Sequence, residues 1–580
     1  MYFSSPAGKR SVIPGLYPHA PGGSARWLPH VLPVVFLLLF FGPLFGDLLF
    51  SHMLRRKADG LYSGGSTWGD LAWHLSMLSN FAQRGLSAVR ENPVFPGEKL
   101  AYPFLPDLFS AWLLRSGLSL QASLILPTFA AIMGAVVGLY FLARSITGSS
   151  FAALAAPFLY FFNGSLVGCY YLWLDYQNSH ADLLSLVVWN QKDYAHLIEH
   201  NLQFSNVISD YVLPQRASVF GLCLGILVVE FLWRYWERSQ GKDLVVAGVV
   251  LSLLPLVHFH SFVALALTSG FLLFIQLLTE RRNWKRVLRN WSAFAIPLVV
   301  LALPQTLWIK PSHAGHFLRI QWGWMSGNEP VWLFWLKNLT PHLPVFLIAM
   351  YFARPKLKTF YLAFIGLFLV ANIVIFQPHE WDNMKLMLWW FLVSCVLAGS
   401  LLADLWRESR AGPLLAATLA GTLLLTGMMS VYRELHLSWL MFSSEDVALA
   451  EFVKNDTSKD AIFLTSDKHN NPIACLAGRR IIMGYRGWLW THGIDYQARQ
   501  RDVFDMYRGA KNALELMRQY RVEYVLIEQD KIRDFHENPR FFAARFPALY
   551  QSQNYTIYKI SYDLLEQERQ RTSGNDRGTT

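Results

Sequence analysis

The chain has 580 residues, of which 53% are hydrophobic and only 16% charged, with a mean hydropathy of +0.26. A soluble protein carries about 25% charged residues, so a soluble globular enzyme is excluded. The formal charge of +11 does not point to nucleic acid, because the Lys and Arg residues lie in short loops between apolar runs long enough to span a bilayer.

Residues 1–27 are polar and rich in Gly and Pro, with Lys9, Arg10 and Arg26, and read as a cytoplasmic tail ahead of an uncleaved first span. Apolar runs follow at about 28–50, 121–143, 151–168, 216–233, 244–257, 261–278, 291–309, 332–352, 359–376, 386–404 and 413–431. They predict roughly eleven spans. The clusters after the even-numbered spans include Arg144, Arg234 to Lys242, Arg281-Arg282 with Lys285-Arg286, Arg354 to Lys358, and Arg407 with Arg410. The excess of basic residues there marks the cytoplasmic side and gives an N-in, C-out topology. Arg55-Arg56-Lys57, after the first span, is a minority against it. The apolar segment 103–116 is too short to cross and is expected to lie on the outer surface.

This topology sends the loops at about 51–120, 169–215, 310–331 and 377–385 outward, with the turn at 257–261. The region from about 433 is also outside and changes character. Strand-like runs at 461–465, 480–485 and 522–527, with a helix pattern at 512–520, predict a small α/β domain. The expected organisation is a tail at 1–27, a transmembrane domain with outer loops at 28–432, an extracytoplasmic α/β domain at 433–565 and a disordered tail at 566–580. Cys169, Cys223, Cys395 and Cys475 show no metal spacing.

The outer segments gather residues that are expensive at membrane depth, and such a gathering marks a site. The first loop holds Asp70, His74, Tyr102 and Asp107, and the second holds Asp175, His180, Asp182, Asp193, His196, Glu199, His200, Asp210, Gln215 and Arg216. His258 and His260 sit at the 258 turn, Arg319 and Trp322 lie in the next loop, and His379, Asp382 and Lys385 precede a span. Each also has a plain structural reading. Asp70 and Asp182 can be solvated loop acids, His258 and His260 can cap or pack a helix end, and Lys385 can reach for headgroups. His313 and His316 share a helical face by spacing. Arg216, Arg319 and Lys385 suit an anionic lipid phosphate, the two arginines through their planar fork. Trp73, Trp322 and Trp324 fit either an aromatic belt or sugar stacking.

Several local features resemble the GT-C superfamily of membrane glycosyltransferases, whose members use lipid-linked sugar donors. They are Gly69-Asp70 after the first span, Tyr102-Pro103-Phe104 opening an interfacial helix, and Leu142-Ala-Arg-Ser-Ile-Thr-Gly148 at a cytoplasmic turn. Trp381-Asp382-Asn383-Met384-Lys385 and the soluble C-terminal region add to them, and the resemblance covers about residues 28–430. Relatives in that superfamily include protein mannosyltransferases, the aminoarabinose transferase of lipid A and oligosaccharyltransferases. The family's first-loop acid is often a pair, whereas this chain has the single Asp70, and Trp389-Trp390 is not followed by Asp.

The resemblance implies an inverting transferase in the bacterial inner membrane, with its site on the periplasmic face. It would move a sugar from a polyprenyl-phosphate donor to a hydroxyl of a lipid, glycan or protein acceptor. Asp70 would be the general base, with His74 one turn on orienting it or sharing the role. Arg216, Arg319 and Lys385, with Asp382 and Tyr102, would bind donor and lipid phosphate. Asp182, His258 and His260 would take a metal or the acceptor, and Arg479, Arg480 and Tyr485 would serve the acceptor from the C-terminal domain. A divalent cation, Mg or Mn, is left open, since one carboxylate makes a poor cation site. The competing readings are a lipid or glycan transporter, for which the sequence shows no internal repeat, and a catalytically silent envelope scaffold.

Overall fold

A computed structural model of the chain describes residues 28–179, 181–189, 192–311, 317–530 and 534–562. The expected terminal tails and the pair His313 and His316 lie outside the described residues.

The helices run in the order α1 (Leu28–His52), α2 (Thr67–Arg84), α3 (Leu105–Arg115), α4 (Leu120–Thr147), α5 (Ser150–Phe161), α6 (Val167–Ser179) and α7 (Leu183–Trp189). Next come α8 (Arg216–Arg238), α9 (Gly241–Leu251), α10 (Phe259–Thr279), and α11 (Trp284–Pro297), which passes through a π-turn into α12 (Leu303–Trp308). The bundle closes with α13 (Val331–Asn338), α14 (His342–Phe352), α15 (Pro355–Ala371), α16 (Met384–Glu408) and α17 (Gly412–Glu434).

Among the described residues, seven helices are long and apolar enough to cross a bilayer, or eight spans if α13 and α14, bent by 95°, count as one. The chain is a multi-pass membrane protein. Where the sequence predicts three further spans, α5, α9 and α15 have 12, 11 and 17 residues. At 1.5 Å per residue α5 and α9 reach about 18 and 17 Å, short of a hydrocarbon core about 30 Å thick, while the 17 residues of α15 stand at the lower limit of a span. The causes are local. Asn163-Gly164 follows the end of α5, and Pro255 lies in the turn after α9. The expected span 332–352 is broken at Thr340-Pro341, because proline cannot continue the preceding helix. Segment 103–116 forms α3, whose 11 residues are too few to cross the hydrocarbon core.

α16 is buried on every side from Met384 to Gly399, as a helix that is apolar all round must be. It is the axis of the bundle, and Asp382 and Lys385 stand at one end of it. The other end of the bundle gathers the basic loops. There Trp233 donates to the Ser145 carbonyl, Arg354 to that of Ile146 and Lys356 to that of Glu237.

The soluble region stands at the end bearing Lys385. β1 (Arg55–Lys57) and β2 (Gly60–Ser63) form a hairpin after α1, and β2 pairs antiparallel with β5 (Trp439–Ser443) after α17. That sheet places the first loop and the C-terminal region on the same face. Gly60 is required there: at φ +152° a Cβ would come within 2.1 Å of the Phe442 carbonyl oxygen. Beyond β5 and α18 (Ser444–Asp456), a five-stranded sheet runs in the order β7 (Arg480–Ile481), β6 (Ile462–Leu464), β8 (Tyr524–Glu528), β10 (Tyr555–Lys559) and β9 (Ala548–Gln551). β6 pairs parallel with β7 and β8, and β8 pairs antiparallel with β10. Its apolar strands, interleaved with helices, match the α/β expectation. α2 is locked to it: Ser79 donates to the Cys475 carbonyl at 2.7 Å and Asn80 to that of Gly478 at 3.0 Å.

Candidate active site at the membrane–soluble junction

A cavity of about 1140 Å³ lies between the bundle end and the soluble region. Single-ligand clefts measure about 300–1,000 Å³, so it has room for more than one small ligand. Its lining changes with depth. Trp73, Tyr102, Tyr485, Trp488 and His492 form the wall toward the soluble region, while Val263, Leu307, Ile309 and Leu386 continue it down the tops of the spans.

Asp70 stands in the first turn of α2 and lines this cavity. Gln215, capping the start of α8, donates from Nε2 to Asp70 Oδ2 at 3.0 Å. Burial pushes the Asp70 carboxyl above the usual aspartate range; Lys385 and His74 oppose the shift and Asp382 adds to it. A carboxyl so placed takes up a proton more readily than an exposed one. Lys385 Nζ lies 2.9 Å from Asp382 Oδ1, and both line the cavity.

His74 also lines the cavity, and its Nδ1 lies 2.9 Å from Asp107 Oδ2. Asp107 in turn lies 2.5 Å from Arg216 Nη1, and the guanidinium also donates to Thr128 at 3.0 Å and to Ser110. Asp107 and Arg216 are 0% and 1% exposed, so their charges neutralise each other away from water and fix the His74 ring. Arg216 is therefore held beneath the site and does not line the cavity.

The second loop supplies another ion pair. His196 Nδ1 lies 2.8 Å from Asp210 Oδ2, and Ser66, just before α2, donates to Asp210 Oδ1 at 2.8 Å. Burial lowers the His196 pKa, but the Asp210 hydrogen bond and charge outweigh it and the net shift is upward. Burial raises Asp210, but the His196 bond outweighs it and the net shift is downward. Each partner thus favours the charged form of the other. His492 behaves oppositely: burial lowers it to about 4, and it is neutral at pH 7.

The other sequence candidates divide clearly. Tyr102, Tyr485, His258 and His260 line the cavity. Burial raises the Tyr102 phenol above its ordinary range, so it remains a neutral donor. Arg319, on a strand beside the mouth, is paired with Glu380 at 2.5 Å and does not line the cavity. Asp182 is exposed, caps Ser185 at 2.9 Å, and stands apart from the cavity and from His258 and His260. Arg479 is buried among the carbonyls of Val453, Lys454, Thr457 and Ala477, and Arg480 pairs with Glu91 at 2.9 Å. Neither reaches the cavity. Among the described residues, no three His, Cys, Asp or Glu side chains come together as a metal site. Asp210 is taken by His196 and Ser66 and Asp382 by Lys385, so the donor set does not fit a divalent cation.

Gln215, the His196–Asp210 pair, Lys310, Trp488 and His492 also line the cavity, and the sequence alone points to no role for them. His196, Asp210 and Gln215 are three among the ten polar candidates of the second outer loop, and their meeting with α2 is a long-range contact that no local spacing encodes.

No protein-family model matches the chain, and no curated protein matches it by sequence. Among solved structures it is similar to ArnT from Cupriavidus metallidurans bound to undecaprenyl phosphate, with a TM-score of 0.50 and 10% identity, over 93% of this chain and 99% of that one. The apo state of the same protein gives a TM-score of 0.49 at 10% identity, over 92% and 98%. The Archaeoglobus fulgidus oligosaccharyltransferase in complex with Zn and sulfate gives 0.47 at 12% identity, over 91% and 73%. At such identity the first of these establishes a shared fold.

Proposed function

We propose that this chain, which has the fold of ArnT, is an inverting glycosyltransferase. It takes a sugar from a polyprenyl-phosphate donor and passes it to a hydroxyl of a lipid, glycan or protein acceptor. The observation that carries the reading is the position of Asp70: a carboxyl with raised proton affinity, in a cavity whose walls run from lipid depth to the soluble region. A polyprenyl donor enters such a cavity from the lipid side, and an acceptor from either side.

Asp70 takes the proton of the acceptor hydroxyl through Oδ1, while Gln215 holds Oδ2. A general base must lie within hydrogen-bond reach of that proton. The hydroxyl oxygen attacks the anomeric carbon as the bond from that carbon to the phosphate oxygen breaks, so the centre inverts. The polyprenyl phosphate departs with the bonding electrons. Lys385, the cavity-lining cation among those advanced from sequence, neutralises the departing charge; fixed charges of this kind supply a large share of catalysis. His74, locked by Asp107, positions the wall behind Asp70. No step is routed through Mg or Mn, since the carboxylates that would hold a cation are engaged elsewhere.

The basic loops at the opposite end of the bundle support an N-in orientation, with the cavity on the outer, periplasmic side of a bacterial inner membrane. The test is transfer of radiolabelled sugar from polyprenyl-phosphate donors to membrane extracts by the purified full-length protein. Labelled product supports the reading. Donor binding without transfer would favour a carrier or a scaffold.

A further inference from the structure

A second concavity of about 660 Å³ lies on the far side of the α2–α3 hairpin, lined by Phe81, Gly85, Leu86, Leu108, Phe109, Trp112 and Arg115, among others. Its volume falls within the range of ligand clefts, about 300–1,000 Å³. Its walls are apolar and open outward. Leu86, Phe109 and Trp112 are 73%, 49% and 62% exposed. So large an exposed apolar surface is unfavourable in water and marks a contact with something apolar.

The position of α3 says what covers it. α3 leads through a short turn into the transmembrane helix α4, and Gln121, at the start of α4, donates to the Phe50 carbonyl near the end of α1. At the other end of α3, Leu105 N–H donates to the Leu256 carbonyl in the turn between α9 and α10. The groove is thus tethered at the level where the spans end, in the headgroup zone of a bilayer.

Its one charge completes the picture. Arg115 lines the groove, is exposed, and has no ion-pair partner among the described residues. Its guanidinium lies over Gly85, where a Cβ would come within 2.9 Å of Nη1. Gly85 also has φ +69°, a conformation side chains disfavour. The backbone there leaves the room that the guanidinium occupies.

We propose that this groove binds an anionic glycerophospholipid, with an acyl chain along Leu108, Phe109 and Trp112 and the phosphate on Arg115. A cation at the rim of an apolar face in the headgroup zone is the arrangement that holds such lipids. The bound lipid would brace, from behind, the hairpin that carries Asp70 and His74. The inference is independent of the reaction assigned to the cavity.

The experiment is native mass spectrometry of the full-length protein in detergent, titrated with phosphatidylglycerol and, separately, with phosphatidylcholine. The wild type is expected to retain one phosphatidylglycerol in preference to phosphatidylcholine. Arg115→Gln should weaken that retention about fivefold. Phe109→Ser, at an exposed position, should weaken retention of both lipids. Arg90→Gln, an exposed arginine outside the groove, should leave it unchanged. Equal retention of both lipids by the wild type, or equal retention by wild type and Arg115→Gln, would overturn the proposal. So would a loss in Arg90→Gln as large as in Arg115→Gln, since that would report general surface charge.

Discussion

At the scale of single residues, two aspartates are held in opposite ways by the same short stretch of chain. Gln215 leaves Asp70 in the cavity with one hydrogen bond, and its neighbour Arg216 closes on Asp107 beneath. Asp70 must be ionised to act as a base, and burial raises its pKa. The acid limb of kcat/KM against pH is therefore expected above the ordinary aspartate value of about 4, with activity rising as pH rises through it. A limb at or below that value would remove Asp70 as the base. Asp107 is expected to matter for stability. Asp107→Ala leaves the Arg216 charge buried without a partner and should cost about 3–5 kcal/mol, read as a lower unfolding temperature in detergent. Replacing both, as Asp107→Leu with Arg216→Met, should recover much of the loss, because an apolar pair of similar volume avoids the desolvation penalty.

At the scale of elements, the sequence is legible where a pattern is local. The long apolar runs became α1, α4, α8, α10, α16 and α17 within a few residues of their expected ends. The C-terminal strands at β6 and β8 and the helix at Ala513–Gln519 also stand where the alternation of short apolar runs put them. Departures have local physical reasons: Asn163-Gly164 follows the end of α5, α9 stops ahead of Pro255, and Pro341 divides α13 from α14. The site was less legible. Asp70 stands out because it follows the first span closely, but its partner Gln215 is 145 residues away. Arg216 and Arg319 read as phosphate ligands because both lie in outer loops and their planar fork suits a phosphate. That Asp107 and Glu380 would take them is a matter of tertiary packing.

The soluble region carries its own test at this scale. Glu528 on β8 and the nearby Glu537 are both buried, and the Glu528 N–H donates to Glu537 Oε2 at 3.1 Å. Burial, with the neighbouring Glu528 charge, raises Glu537 to about 8. A carboxyl raised in the folded state holds its proton there after the unfolded chain has lost it. It therefore stabilises the fold fully below the unfolded value near 4.5, and that stability is lost as pH rises from there toward 8. The unfolding temperature should fall between pH 5 and pH 9. Glu537→Gln should flatten the fall and unfold several degrees higher than wild type at pH 9. An unchanged slope in that variant would place the pH sensitivity elsewhere.

At the scale of the whole molecule, charge and site divide the bundle between its two ends. The basic loops meet at one end, and the cavity and the soluble region stand at the other. In a cysteine-free background, Trp490→Cys should react with a membrane-impermeant maleimide on intact cells, and Lys358→Cys only after permeabilisation. The reverse pattern would invert the topology and put the cavity in the cytoplasm. The central claim is that this cavity transfers a sugar with Asp70 as its base. The most direct measurement is sugar transfer from a polyprenyl-phosphate donor by purified wild type beside Asp70→Asn, the two matched for folding and donor binding. Transfer by the wild type, falling about 10²–10⁴-fold in the variant, is the predicted result. Equal transfer by both, or none by either, would contradict it.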